Sequence, residues 1–516
     1  AAQAAVAERD LVAAVERAGY RARVRSGAGG TLSALVAQGC GCCGGGESGD
    51  GDAGEFDLLV IGTGGAGMAA AIRGAELGAR VAIVERGTIG GTCVNVGCIP
   101  SKNLITAAER YHSAREGFPG IAPSEPELDW KRVVGQKAEL VEELRRAKYH
   151  DVLEAYPEIT LLRGHARLLG GGRVSVDGVE HRARKIVVAT GASPWMPPIP
   201  GLDEVDALDS TTAMELEALP ASMIVLGAGY VGLELGQTFA RFGTRVTLVE
   251  RSDRIAKEED PEISEALRAY LEAEGIEIRT GVHVLGLERD GGEVVVHARQ
   301  DGRAIEIRAE RLLVAAGRRA NTAGMGLENA GVELHEQGFV RVDGTLRTTA
   351  PDIYAAGDVT AGPAFVYVAA AAGRLAAENA LTGANRELDL RAVPRVMFTD
   401  PQVAAVGLME AEARAAGHEV ETARLELKHV PRAAASRNAR GLIKIVAEAG
   451  TGRILGVHTL GPSAGELMGE AALAVRFGLT AEDLADTLHP YLTWTEGLKL
   501  AAQTFRKDVA KLSCCA

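Results

Sequence analysis

The stretch "FDLLVIGTGGAGMAAAIRGAELGARVAIVER", Phe56 to Arg86, decides the fold. An apolar run, Phe56 to Ile61, reads as a buried strand. It turns at Gly62, Gly64 and Gly67, and an alanine-rich helical segment follows. A second apolar run, Val81 to Val84, ends at Glu85. The glycines permit a tight turn and let backbone approach a diphosphate at the helix N-terminus, and the acid can accept hydrogen bonds from a ribose. The pattern recurs in "SMIVLGAGYVGLELGQTFARFGTRVTLVER", with Gly227, Gly229 and Gly232 as the glycines and Glu250 as the acid. In both copies the acid lies 23 residues after the first glycine. Ala71 and Gly78 in the first copy match Gly236 and Gly243 in the second. One such motif alone could be an ordinary glycine-rich turn. Two full copies at equal spacing predict two dinucleotide sites, for which a flavin and a nicotinamide are the usual pair.

The whole chain sets bounds on this reading. Its 516 residues imply three or four domains, at about 100–200 residues each. A net charge of −13 excludes the basic footprint of a nucleic-acid binder. No apolar run reaches the roughly 18–20 residues of a membrane span. Glu8, Arg9 and Asp10 stand where an export signal would be apolar. The expectation is a cytoplasmic protein. The seven cysteines fall in three clusters: Cys40, Cys42 and Cys43; Cys93 and Cys98; Cys514 and Cys515. A disulfide scaffold does not suit so long a chain without an export signal.

The middle pair sits in "GGTCVNVGCIPSK", Gly90 to Lys102. A closed zinc site would need about four ligands, and no second pair is spaced nearby. Beside a flavin, a dithiol can pass two electrons to a thiol-bound substrate. A helix starting near the motif would favour the thiolate through its dipole. A redox couple is therefore the expectation. Two further strand-like segments, "KIVVATG" ending at Thr190 and Gly191 and "TTAPDIYAAGDV" ending at Gly357 and Asp358, read alone as buried strands followed by turns.

In this order the motifs resemble the pyridine nucleotide–disulfide oxidoreductases, from about Glu55 to the end. The resemblance implies an α/β fold: two Rossmann-like domains, for FAD and NAD(P), and a C-terminal α+β dimerisation domain. It implies that Cys98 is the flavin-side thiol and Cys93 the interchange thiol. Lys102 would lie near the flavin and pair with Glu234, and Tyr230 would lie at the nicotinamide. For FAD it implies Gly62, Gly64, Gly65, Ala66, Gly67, Glu85 and Arg86. Gly91, Thr92, Lys102, Ala166, Thr190, Gly191, Gly357 and Asp358 complete that set. For NADPH it implies Gly227, Gly229, Tyr230, Val231, Gly232, Glu250, Arg251 and Gly317. The residues alone leave the nicotinamide open, since Glu250 should repel a 2′-phosphate that Arg251 and Arg254 could hold; the resemblance favours NADPH.

The C-terminal end, "HPYLTWTEGLKLAAQTFRKDVAKLSCCA", separates candidate substrates. In disulfide-reducing relatives a His-Pro is followed by a glutamate five residues after the histidine, which orients it as a base. Here the fifth residue after His489 is Trp494, and Glu496 comes seven on. Adjacent cysteines make a strained disulfide but good soft-metal ligands. This end, with "KYHDVL" around Tyr149, looks like the mercury(II)-reducing branch of the family. That likeness implies reduction of Hg(II) to Hg(0) by NADPH in a homodimer with shared active sites. Cys514 and Cys515 of one subunit would pass metal from Hg(II)–thiol complexes to Cys93 and Cys98 of the other, past Tyr149 and Tyr491, with His489 nearby. A lipoamide dehydrogenase-like enzyme and a non-catalytic mercury-binding protein are the alternatives.

The implied boundaries are 1–43 for a partial heavy-metal-associated-like segment and 44–54 for a flexible linker. Residues 55–200 and 318–390 form the flavin domain, 201–317 the nicotinamide domain and 391–516 the interface domain. Cys40, Cys42 and Cys43 suit either soft-metal binding or a plain glycine-rich tether.

Overall fold

Phe56–Ile61 forms β1 in the computed structural model, which describes residues 56–511. The segment 1–54 and the tail cysteines Cys514 and Cys515 lie outside the described residues. Leu58, Leu59 and Val60 have no exposed surface, and each such side chain contributes about 1.5–3 kcal/mol by leaving water. The strand is apolar without alternation because both faces of its parallel sheet are covered. β1 pairs in parallel with β2 (Val81–Glu85) and β6 (Val179–Val188). β3 (Ile159–Arg163) extends the sheet beyond β2, and β16 (Ile353–Ala355) joins β6 on the other side. β4 (Ala166–Gly170) and β5 (Arg173–Val176) run antiparallel as a branch from β6.

A second parallel sheet has the order β10-β9-β8-β14, from Glu277–Arg279, Arg245–Val249, Ser222–Leu226 and Arg311–Val314. An antiparallel meander, β11 (His283–Asp290), β12 (Glu293–Gln300) and β13 (Arg303–Ala309), lies within the same stretch of chain. The chain leaves the first sheet through β7 (Ala192–Pro194) and returns through β15 (Arg318–Ala320), and these two crossings pair antiparallel. The last sheet is antiparallel with the order β17-β18-β21-β20-β19, from Arg395–Met397, Gln402–Gly407, Ile454–Gly461, Leu442–Glu448 and Val420–Glu426. Two Rossmann-like sheets and a C-terminal α+β layer are thus the observed architecture. Among the described residues, no helix is long and apolar enough to cross a membrane.

Small residues let the helices over the first sheet close together. A Cβ on Gly373, in the helix Val366–Thr382, would lie 2.0 Å from the carbonyl oxygen of Ala66. That contact seats this helix on Gly65–Glu76 and brings Gly357 to within touching distance of Ala66.

Candidate active site

The two fingerprints share one steric logic. A Cβ on Gly67 would stand 1.8 Å from the Gly62 carbonyl oxygen, and one on Gly232 would stand 2.0 Å from that of Gly227. Only glycine lets each helix start this close to its strand. Neither helix start, at Gly65 or Tyr230, has a side-chain cap or an acid in its first turn. Their first N–H groups are therefore available to an anion, which is what a dinucleotide's diphosphate needs. A Cβ on Gly229 would meet nothing within 4 Å, so the second cradle is open.

The acids at the strand ends brace these loops. Glu85 accepts from the Thr63 hydroxyl at 2.5 Å and from the Gly87 N–H at 2.8 Å. Glu250 accepts from the N–H groups of Ala228 and Ser252, both at 2.8 Å. Arg86 and Arg251, which follow them, are exposed. Thr190 and Asn321 tie the outgoing crossing to the returning one. The Thr190 hydroxyl donates to the Asn321 carbonyl at 2.8 Å, and the Asn321 amide returns a bond to the Thr190 carbonyl at 2.9 Å. Gly191 and Gly317 both take positive φ, +67° and +126°, at the two ends of this paired crossing. Ala166 is buried in β4, and Val231 is partly exposed at the second helix start.

Gly90 (φ +108°) and Gly91 (φ +63°) turn the chain into a short helix, Gly91–Asn95, that carries Thr92 and Cys93. A Cβ on Gly91 would lie 2.5 Å from the Gly64 Cα, so this turn meets the first fingerprint backbone to backbone. Cys98 is the first residue of the helix Cys98–Glu116, after Gly97. A Cβ on Gly97 would stand 2.9 Å from the Thr92 carbonyl oxygen, so glycine is needed to bring the two cysteine-bearing segments together. Asn95 fastens the turn through Ile89 and Gly91, both at 2.9 Å, and receives a bond from Arg145 at 2.7 Å.

Cys93 and Cys98 are both free thiols and half-buried. A hydrogen bond from Cys93 lowers the Cys98 pKa to about 7, against burial and with help from the Lys102 charge. Cys93 is pushed up by that same bond and by burial. Above about pH 7 the pair therefore holds one proton, on Cys93, with the thiolate on Cys98 at the helix start.

Lys102 lies one turn further along the helix. Its ammonium donates to Glu234 at 2.6 Å and stands 4.8 Å from the centre of the Phe398 ring. The other Glu234 oxygen accepts from the Phe398 N–H at 2.9 Å. Tyr149 sits in a single π-helical turn, Arg146–His150, against Gly90. Burial and then the two cysteines raise its pKa, placing it beside the pair. Tyr230 donates to Glu259 at 2.5 Å and packs edge-on against Phe365. Arg395 holds the same carboxylate at 3.3 Å. Asp358 is half-buried, and burial raises its carboxyl pKa while Arg318 opposes the rise.

His489 is placed differently. The carboxylate that reading along the chain did not find comes from Glu470 on the helix Ala464–Phe477, 2.6 Å from His489 Nε2. Nδ1 faces the Thr487 carbonyl at 3.0 Å. Glu496 instead accepts from the Leu492 N–H at 3.2 Å. Both ring nitrogens of His489 are engaged, and neither bond reaches the cysteines. Tyr491 is 56% exposed and Leu488 91%, and Leu473 and Phe477, on the helix that carries Glu470, are exposed as well. Glu470, Glu259 and Arg395 were missed because their partners are remote in sequence and nothing local marks them. Among the described residues, no group of three or more metal-binding side chains is present.

The family model described as pyridine nucleotide-disulphide oxidoreductase matches residues 56–373, and its dimerisation domain matches 393–502. The chain is 49% identical to a mercuric reductase of Streptomyces lividans, over 89% of this chain and 98% of that protein. It is 47% identical to one of Bacillus cereus, over 90% of this chain and 73% of that one. Among solved structures it resembles the HOCl-induced flavoprotein disulfide reductase RclA of Escherichia coli. That match has a TM-score of 0.79 and 31% identity, and covers 87% of this chain and 99% of the other.

Proposed function

Because the chain belongs to the pyridine nucleotide-disulphide oxidoreductases, and within them to the mercuric reductases, we propose the following division of labour for the reaction Hg(II) + NADPH → Hg(0) + NADP⁺ + H⁺. FAD, when bound, relays two electrons from NADPH towards the sulfur pair. The first fingerprint, with Gly357 and Asp358, holds the flavin dinucleotide; the second, with Glu250, Arg251 and Gly317, holds NADPH. The open helix starts fit the two diphosphates.

The Cys98 thiolate is the flavin-side sulfur. Cys93 is the interchange sulfur, and it loses its proton as mercury binds. Hg(II) arrives as a thiol complex. Each incoming protein thiolate displaces one ligand thiolate, and the Cys93 proton leaves with a displaced thiol. Metal thus moves between sulfur pairs without being released. Lys102 offsets the thiolate charge and is oriented by Glu234. Tyr149 walls the pair, and Tyr230 covers the nicotinamide position.

The chain carries a dimerisation domain. We place Tyr491, His489 and the Cys514–Cys515 tail of one subunit over the Cys93–Cys98 pair of its partner. The exposed Leu473 and Phe477, on the helix whose Glu470 meets His489, and the exposed Leu488 support a covered face there. The domain boundaries are drawn at 55–200 with 318–390, 201–317 and 391–516.

The carrying observation is a pair of free cysteines, Cys93 and Cys98, at a helix start, one turn from a lysine and between the two fingerprints in the chain. A disulfide-reducing role is disfavoured because the fifth residue after His489 is Trp494 and not a glutamate. The test is NADPH oxidation with Hg(II) in excess thiol against lipoamide and glutathione disulfide. Turnover with Hg(II) and little with either disulfide is expected; the reverse ranking overturns the assignment.

A further inference from the structure

The helix Trp130–Arg145 ends in a change of winding. Up to Arg145 it is α-helical; Arg146–His150 then forms the π turn, in which the Asp151 N–H donates to the Arg146 carbonyl, five residues back. Such single turns are rare and concentrate at functional sites. The turn shifts the register of the side chains it carries, so the α-helical repeat alone does not set the direction of Tyr149. An anchor outside the helix is needed, and Arg145 supplies one. Its Nε donates to the Asn95 side-chain oxygen at 2.7 Å. Asn95 is itself held, its amide donating to the Ile89 and Gly91 carbonyls at 2.9 Å, so it is a stationary acceptor. Tyr149, four residues after Arg145, packs at the other end of the same turn, where a Cβ on Gly90 would stand 3.4 Å from its ring. Residues four apart on a helical segment share a face. One face of this segment therefore grips the turn at both ends, Gly90 and Asn95, with Cys93 between them. Arg145 also pairs with Glu142 at 2.5 Å, but that carboxylate is largely exposed and the pair lies within one helix, so it contributes little. The bond to Asn95 is the one that joins two segments.

We infer that Arg145 is a positioning residue for mercury reduction: through Asn95 it sets where the π turn holds Tyr149 against the turn that carries Cys93. Burial, and then Cys93 and Cys98, push the Tyr149 phenol up, which puts it within electrostatic reach of the pair that Arg145 would align it with. The inference rests on the reading of Tyr149 as a wall of the mercury site, which Tyr149→Ala tests by itself.

The test measures wild type, Arg145→Met, Arg145→Lys, Tyr149→Ala and the double variant Arg145→Met, Tyr149→Ala as FAD-loaded enzymes. In Arg145→Met the kcat/KM for thiol-bound Hg(II) should fall on the order of 10–100-fold, because small misplacements at a reacting site are felt on that scale. Arg145→Lys keeps a donor and should recover part of the loss. Flavin reduction by NADPH and the long-wavelength thiolate–flavin band should match wild type. In the Tyr149→Ala background, Arg145→Met should cost less than about twofold more, since no ring is left to place. Wild-type kcat/KM in Arg145→Met overturns the inference. So does an undiminished loss in the Tyr149→Ala background, which marks Arg145 as a prop for the cysteine turn alone. If Arg145→Met does not retain FAD, Arg145→Lys, alone and with Tyr149→Ala, decides the same question. Wild-type turnover in Tyr149→Ala removes Tyr149 from the site, and the inference with it.

Discussion

Replacing Lys102 by methionine should raise the pKa of the Cys98 thiolate by about one unit, and Glu234→Gln should lower it. The two residues on the helix are one turn apart, a spacing of about 5–6 Å between neighbouring Cβ atoms. At an effective dielectric of about 20, a unit charge at that distance is worth about 3 kcal/mol. The Glu234 carboxylate, 2.6 Å from the ammonium, takes back a large part of this. Lys102 is also one-third exposed, which screens it further. A net of about 1–1.5 kcal/mol remains, or about one unit of pKa. Cys98 starts from about 7. The assay is a pH titration of the reduced enzyme, followed by long-wavelength thiolate–flavin absorbance and by the rate of alkylation at Cys98. The Lys102→Met midpoint should move up, Glu234→Gln down, and Lys102→Arg should stay near wild type. Movement of both charge-removing variants in the same direction would refute the electrostatic account, because the two charges act on Cys98 with opposite sign.

Cys93→Ala and Cys98→Ala should each abolish Hg(II) reduction with FAD still bound, and only Cys98→Ala should remove the long-wavelength band; wild-type turnover in either contradicts the redox pair. Because the Cys98 pKa is lowered to about 7, its thiolate is present above that pH and lost below it, so single-turnover mercury capture should fall about tenfold per unit below pH 7; a flat profile from pH 5 to 8 would remove Cys98 from the capture step. Arg251→Ala should lower kcat/KM for NADPH about tenfold or more while sparing NADH, since a lost charged bond to a 2′-phosphate is worth about 1.5–3 kcal/mol; equal losses for both donors place the phosphate elsewhere. Cys514→Ala with Cys515→Ala should slow turnover most for mercury held by bulky thiols. Mixing those subunits with Cys93→Ala, Cys98→Ala subunits should restore activity, and no restoration in proven mixed dimers would rule out transfer between subunits.

The parts legible in the sequence were those fixed by local sterics. The fingerprints are recognisable because a side chain at Gly67 or Gly232 would overlap backbone, so the spacing is dictated within a few residues. The cysteine motif is legible for a similar reason: Gly97 and the helix beginning at Cys98 set its geometry nearby. What the sequence hid depends on folding distance. Glu470 reaches His489 from another helix, and Glu259 reaches Tyr230 and Arg395 from a loop. Arg145 becomes notable only when its Nε is found bonded to Asn95, on another segment. The strand expected from Lys185 begins earlier, at Val179, because its outer half is held by the antiparallel branch through β5 and not by the parallel sheet.

The pairing of β7 with β15 has an evolutionary consequence. Because the chain leaves and re-enters the flavin layer side by side, everything between Pro194 and Arg318 is spliced in at adjoining ends. Such a cassette can be exchanged for another dinucleotide module of different length while the host sheet keeps its register. Donor preference could then be recombined as a unit, and a chimera joined at these two strands should inherit its reductant from the graft and its substrate from the host so long as the graft keeps a carboxylate at Glu234 for Lys102.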